Sequence, residues 1–475
     1  MSLEVENDLI RVNNQLCDFS RDGRFFATAY QTNLTIRDYK KFDIIHSFVF
    51  PDIIEYIEWS RNSEYILCAN IKKTIVQVYS IRYPEWKYKL TEGSAGLESV
   101  TWSPDSKYIL TLSDFNIQIS IWSLENQSVT HIQNVKSSFN KLYFTPDGNK
   151  LAVVVSIEGN NNIEIYKTDT WKLSKKLICG RLNSIDGLCW SPNSELLCIW
   201  SSFSNEMKLI IYSSTFEKDI AVFHPAQTVN LSEMEYTNYK DLKGIENVTW
   251  MPSGQLLAVA GFNEMDQSAL LFCYEKCCTV VLLNHVTWKS LLQLYLEPVI
   301  SENYLNKVYE ERVIQSKFSN KNAIRVNVVN ISKASTFIVE EKSERPINIK
   351  IGRKNITERL SIAKFDILEF SSCGQYLAVK HQLYPTTLWI WNVIDDYLDY
   401  LLLENTIVAA RWNPTRAHLL VFCECMYAFE WTPYNANCLT IPRNITVLDA
   451  RWHPRGNLLL LCGYNKAIIY HIEDK

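Results

Sequence analysis

A unit of about 42 residues recurs nine times along this chain, and a period of that length restricts the fold more than composition does. Each copy runs through a short alternating stretch, an aromatic residue, Ser or Thr, often Pro, a turn residue and a second apolar stretch. The first four copies are Cys17-Asp18-Phe19-Ser20-Arg21-Asp22-Gly23, Ile57-Glu58-Trp59-Ser60, Trp102-Ser103-Pro104-Asp105-Ser106 and Phe144-Thr145-Pro146-Asp147-Gly148. The other five are Trp190-Ser191-Pro192, Trp250-Met251-Pro252-Ser253-Gly254, Phe370-Ser371-Ser372-Cys373-Gly374, Trp412-Asn413-Pro414 and Trp452-His453-Pro454-Arg455-Gly456. The aromatics are separated by 40, 43, 42, 46, 60, 120, 42 and 40 residues. Proline presets φ and glycine accepts positive φ, so the motif makes a tight turn between two strands that each bury one face.

A further alternating run follows most copies: Leu34 to Asp38, Val76 to Ser80, Ile119 to Ser123, Ile163 to Tyr166, Leu209 to Ser213, Leu388 to Asn392, Tyr427 to Trp431 and Ile468 to His471. These read as third strands of WD-type blades, although the Trp-Asp dipeptide itself never occurs. The fold expected is all-β, a single closed WD-type β-propeller over 1–475. Nine blades fit best, and eight with an irregular element fit almost as well. An open ring would leave unpaired strand edges, so residues 1–12, which have no blade of their own, are expected to supply a ring-closing strand beside Ile468 to His471.

The two long steps mark insertions: a polar loop at 213–245 and a longer, basic one at 290–364, between late blades. Residues 302–364 hold 13 Lys plus Arg against seven Asp plus Glu, a local +6 in a chain whose net charge is −4. Within it, Tyr304 to Val313 reads as a short helix, and Ile324 to Val329 and Ala334 to Val339 alternate like strands. The insertion has two readings, a solvated loop or a docking element for an acidic surface such as tubulin tails or an acidic coiled coil.

With 47% hydrophobic and 12% aromatic residues the chain has ample material for a core. Its acidic balance argues against nucleic acid as a partner. No apolar run approaches a membrane span and Met1 to Asp8 does not resemble a signal peptide, so a cytoplasmic location is expected with no membrane contact. Thirteen scattered cysteines suit reduced core thiols. None of the specific phosphate-loop, dinucleotide, nucleophile-elbow or paired-histidine zinc motifs occurs, and no cofactor or catalytic residue is expected. The best metal candidate, Cys273, Cys277 and Cys278 with His285, lacks paired C-x-x-C spacing and reads better as a cysteine cluster. Cys423 and Cys425 share one strand face and read as core, and His453 and His471 as structural histidines.

Several segments resemble the WD repeat-containing protein eight family, the centrosomal and spindle-pole WD-repeat proteins. They are Ile57-Glu58-Trp59-Ser60, Tyr65-Ile66-Leu67-Cys68-Ala69, Val76-Gln77-Val78, Pro84-Glu85-Trp86, Glu92-Gly93-Ser94-Ala95-Gly96-Leu97 and Leu283-Asn284-His285-Val286-Thr287-Trp288-Lys289. The likeness runs from about Leu16 to His471 and is strongest over 55–125. It implies a non-enzymatic scaffold of centrosomes, spindle poles and ciliary bases that holds a coiled-coil anchoring protein. It also implies a role in anchoring microtubule minus ends, in fungi with a minus-end-directed kinesin. Candidate partner-binding residues are Pro84, Glu85, Trp86, Glu92, Gly93, Ser94, Ala95, Gly96, Leu97, Asn284 and His285. Glu92 to Leu97 are expected in the loop from an outer strand to the next inner one, and the other two groups in turns on the opposite face; each group also reads as a turn that blade geometry demands. Rival readings are a translation-initiation propeller and a ubiquitin-ligase substrate adaptor, for which Arg37-Asp38-Tyr39-Lys40 is a poor match.

Overall fold

A computed structural model describes residues 9–472 apart from 92–95, 114–117, 137–141, 158, 180–183, 202–207, 215–218, 225–226, 231–235, 238–243, 263–277, 302–304, 316–334, 353–363, 424, 426 and 442–444. The described residues are all-β and form nine blades in one ring. Innermost strands run from Cys17–Phe19, Tyr56–Trp59 and Ser99–Trp102 round to Ala409–Trp412 and Asp449–Trp452, and the last of these touches the first. The ninth blade takes its outer strand from the other end of the chain: Ile10–Arg11 pairs antiparallel with Lys466–His471, Ile10 opposite Ala467 and Arg11 opposite Lys466.

The repeat aromatic is what joins blade to blade. Trp59 Nε1–H donates to the carbonyl of Asp18 at 3.2 Å, Trp102 to Glu58 at 3.1 Å, Trp190 to Tyr143 at 2.9 Å, Trp412 to Glu369 at 3.0 Å and Trp452 to Arg411 at 3.2 Å. In every case the acceptor is the residue before the preceding blade's own repeat aromatic. The indole therefore fills the inter-blade wedge and satisfies a carbonyl at the inner end of its neighbour. The following Ser or Thr stabilises its own turn, its hydroxyl accepting the amide five residues on: Phe25 to Ser20 at 3.0 Å, Tyr65 to Ser60 at 3.0 Å, Tyr108 to Ser103 at 2.9 Å and Leu196 to Ser191 at 2.9 Å.

Successive turns also interlock. Asp22 N–H donates to Ser63 Oγ, Asn62 N–H to Ser106 Oγ and Asp147 N–H to Ser194 Oγ, each at 3.1 Å. Ser63, Ser106 and Ser194 all have φ near +60°, and in blade 1 the same position is Gly23 at +71°. A side chain there has no room: a Cβ on Gly23 would lie 2.5 Å from His453 Nε2, which bonds Gly23 O at 2.8 Å. The ninth-to-first interface has Phe19 at the aromatic position, as blades 4 and 7 have Phe144 and Phe370, and His453 acts there as clasp, with its ring 5.1 Å from that of Phe19.

Both insertions continue their blades. Asp219–His224 is blade 5's own fourth strand, and Gln227–Asn230 and Tyr236–Thr237 pair on beyond it, replacing the polar loop expected at 213–245. Ser290–Tyr295 is the fourth strand of blade 6, so the basic insertion starts after it and not at 290. Val308–Gln315 is a strand, where the sequence reading placed a helix. It pairs parallel with Tyr397–Leu402 on the outer edge of blade 7, and Ser335–Glu341 pairs antiparallel with it. The expected strand at 334–339 is thus present within Ser335–Glu341, while 324–329 lies outside the described residues. Two buried carboxylates fix the addition: Asp399 accepts Lys307 N–H at 3.3 Å and Trp431 Nε1–H at 3.2 Å, and Glu311 accepts Glu404 N–H at 2.7 Å.

Trp59→Phe keeps the ring in the wedge and removes one inter-blade hydrogen bond, so a loss of about 1 kcal/mol is expected, against about 3–5 kcal/mol for Trp59→Ala. Urea unfolding of the two variants measures the difference. Asp399 titrates at about 6, raised by burial, so the native state binds its proton more tightly than the unfolded chain does. Its contribution therefore makes the fold less stable as pH rises from about 4 to 6, and unfolding midpoints of Asp399→Asn across that range should lack that component.

Candidate partner-binding site

The second blade's turn at 80–86 is built from within. Ser80 Oγ accepts Tyr83 N–H at 3.1 Å, and Trp86 packs its half-buried ring 5.3 Å from Tyr65 and 6.4 Å from Tyr88. Trp86 is thereby committed to the blade, whereas Pro84 and Glu85 are exposed beside Tyr83, which is 61% exposed. Glu92, Gly93, Ser94 and Ala95 lie outside the described residues. Gly96 has φ +71°, and Leu97 is buried in the core between blades 2 and 3.

The turn after the third strand of blade 6 follows the same logic. Asn284 Oδ1 accepts the amides of Val286 at 2.9 Å and Thr287 at 3.0 Å, and His285 Nδ1 lies 3.1 Å from Gln255 O. Asp38 and Asn392 close the equivalent turns of blades 1 and 7 in the same way. Asn284 is thus a turn-former that side chain-to-backbone bonding requires. Pro84, Glu85, Asn284 and His285 lie in turns between third and fourth strands, on one face of the ring, and Gly96 and Leu97 lead from a fourth strand to the next inner strand on the other.

Of the cysteine and histidine candidates for a metal, Cys278 is core and His285 lies in the turn just described. Cys278 belongs to the strand Cys278–Asn284, buried beside His381 with Sγ–Nδ1 3.4 Å; Cys273 and Cys277 lie outside the described residues. No group of three or more metal-ligating side chains occurs among the described residues.

A charged arc that the sequence reading missed follows the ring's inner edge from blade 7 to blade 3. Arg411 holds Asp449 with two bonds, Nε to Oδ1 at 2.9 Å and Nη2 to Oδ2 at 3.1 Å, while Arg451 bonds the same carboxylate and Glu369 lies 3.7 Å from Arg411. Next round the ring, burial holds Asp18 above its ordinary pKa despite Arg451 and Arg21 nearby. Glu58, raised by burial too, accepts Tyr56 Oη–H and Thr101 Oγ1–H, both at 3.1 Å. The signal available in sequence was the residue before each repeat aromatic: Asp18, Glu58, Glu369, Arg411 and Arg451 all occupy it.

The blade 7 platform is the second surface. Arg312 pairs with Glu340 at 3.1 Å and Lys342 with Glu310 at 2.9 Å, so cross-strand ion pairs line the added hairpin. The segment joining its strands, 316–334, carries Lys317, Lys321, Arg325 and Lys333 and no acidic residue.

Burial alone would raise the Asp449 pKa, but the Arg411 and Arg451 guanidiniums outweigh it and hold the carboxyl below its ordinary value. Its contribution to stability is therefore present above pH about 4 and lost as pH falls through the lowered native value. Asp449→Ala is expected to cost about 1–3 kcal/mol at pH 7 and to lose its effect towards pH 2, read from denaturant midpoints at both values.

No family model matches the chain. A mouse WD repeat-containing protein, WRAP73, is 28% identical over 477 residues, covering 99% of this chain and 96% of the relative. An uncharacterized WD repeat-containing protein of fission yeast, C32H8.09, is 22% identical over 445 residues, covering 90% and 80%. Among solved structures, the C-terminal WD40 domain of Sif2 superposes with a TM-score of 0.50 at 11% identity, covering both chains in full. With nine repeat motifs folded into nine blades, the chain is a nine-bladed β-propeller that is similar to WD repeat-containing proteins along its whole length.

Proposed function

We propose that this protein is a non-enzymatic scaffold at the centrosome, spindle pole or basal body, where it holds a coiled-coil anchoring protein and helps anchor microtubule minus ends. A minus-end-directed kinesin and microtubules are further partners in this reading. WD40 propellers bind protein partners, and a closed ring whose blades are held together by packed aromatics and inter-blade hydrogen bonds is a rigid display surface. What carries the finer reading is the resemblance of the segments at 57–60, 84–86, 92–97 and 283–289, together with similarity to a WD-repeat relative over 99% of the chain. Exposed Pro84 and Glu85 on one face and the segment 92–97, of which Gly96 and Leu97 lie on the other face, are the contact candidates.

The basic segment 316–334 is read as the docking element for an acidic surface. In sequence it joins Val308–Gln315 to Ser335–Glu341, which pair with each other, the first of them also pairing with Tyr397–Leu402 of blade 7. Attraction of this kind raises encounter rates and weakens with salt.

A tagged full-length copy with proximity labelling tests the location: enrichment at spindle poles or basal bodies is expected, and a diffuse, ribosome-associated pattern would favour the translation-initiation rival. Replacing Lys317, Lys321, Arg325 and Lys333 with Gln leaves the paired strands intact. It is expected to weaken microtubule or coiled-coil co-sedimentation at low salt by about tenfold or more; unchanged binding removes the docking role.

A further inference from the structure

We propose that Cys17 and Cys462 are a modification site, oxidised to a disulfide that closes the ring covalently between its first and last blades. Cys17 begins the innermost strand of blade 1, and Cys462 ends the second strand of blade 9. Their Sγ atoms are 3.2 Å apart across the seam, although the residues are 445 apart in sequence. Both thiols are buried in one apolar cluster with Phe19, Phe26, Leu460 and Ile469.

The seam also has a cavity beside it. The blade 1 strand Asn33–Asp38 sends Leu34 and Ile36 towards blade 2 and offers Thr35 and Arg37 to the closing side. A cavity of about 440 Å³ lies there, bounded by Ile10 and Arg11 of the closing strand and by Phe26 and Ile469. Phe26 and Ile469 belong to the cluster that encloses the two thiols, so the cavity gives a small oxidant an approach when the two-residue closing strand opens. At rest the mutual bond and burial hold the Cys462 thiol protonated, while the charge of Arg451 favours its thiolate. The site is therefore slow while the seam is shut.

The oxidant is a peroxide. One thiolate attacks it, its O–O bond breaks, and the sulfur becomes a sulfenic acid as water leaves. The second thiol attacks that sulfur, the S–O bond breaks, and a second water departs. Two thiols and one peroxide give one disulfide and two waters, with two electrons passing to the peroxide. Cross-linking residues so distant restricts the unfolded chain strongly and removes the seam as the place where the ring opens.

The test treats purified full-length protein with hydrogen peroxide, unfolds it in an alkylating reagent without reductant, and maps the digest by mass spectrometry. A cross-linked peptide pair containing residues 17 and 462, two hydrogens lighter than its parts, is expected. A dithiothreitol-reversible rise in Tm of about 2 °C or more should accompany it. Cys462→Ser and, independently, Cys17→Ala should abolish both, with exposed Cys373 reacting as before. Recovery of both residues as alkylated thiols at a dose that consumes Cys373 overturns the proposal, as does a cross-link that leaves Tm unchanged.

Discussion

Ring closure rests on a short antiparallel pairing between the two ends of the chain, Ile10 opposite Ala467 and Arg11 opposite Lys466, extended by Val12 N–H to Asn465 O at 3.1 Å. Each of the other eight blades takes its four core strands from one continuous stretch. Without the borrowed strand, blade 9 would expose the edge of its third strand, and the interface with blade 1 would lose one wall. That interface lacks the repeat indole, so its inner end depends on His453 bonding Gly23 O and on the Phe19 ring packed against it. The seam is the junction at which the two ends of the chain meet to complete the ring.

Much of this was written in the repeat. A turn of fixed chemistry after each aromatic pointed to nine blades with eight nearly as good a fit, the structure has nine, and alternating runs such as Val76 to Ser80 marked eight third strands. Blade 6's third strand, Cys278–Asn284, escaped because it is buried over almost its whole length and does not alternate, so its cysteine resembled a ligand. The strand Val308–Gln315 escaped for a different reason. Its charges pair across a hairpin and its backbone pairs with a strand about 90 residues later, and neither is visible in local periodicity.

The candidate surfaces divide in the same way. Asn284 and Trp86 stood out in sequence, and blade geometry accounts for both, one as a turn cap and the other as a ring wedged between tyrosines. The charged arc through Glu369, Arg411, Asp449, Arg451, Asp18 and Glu58 was hidden because its members lie about 40 residues apart or on opposite ends of the chain. Only the ring brings them together. The turn contacts from Asp22 to Ser63 and from Asn62 to Ser106 were hidden in the same way: their partners lie 41 and 44 residues apart, and only the packing of neighbouring blades brings them together.

Hydrogen exchange on the intact chain and on a chain lacking residues 1–12 tests the central claim most directly, because closure couples the blades on either side of the seam. Loss of amide protection in both 449–471 and 17–30 on truncation, with the middle blades less affected, is the result predicted. Unchanged protection in those two segments would contradict a ring held shut by its N-terminal strand.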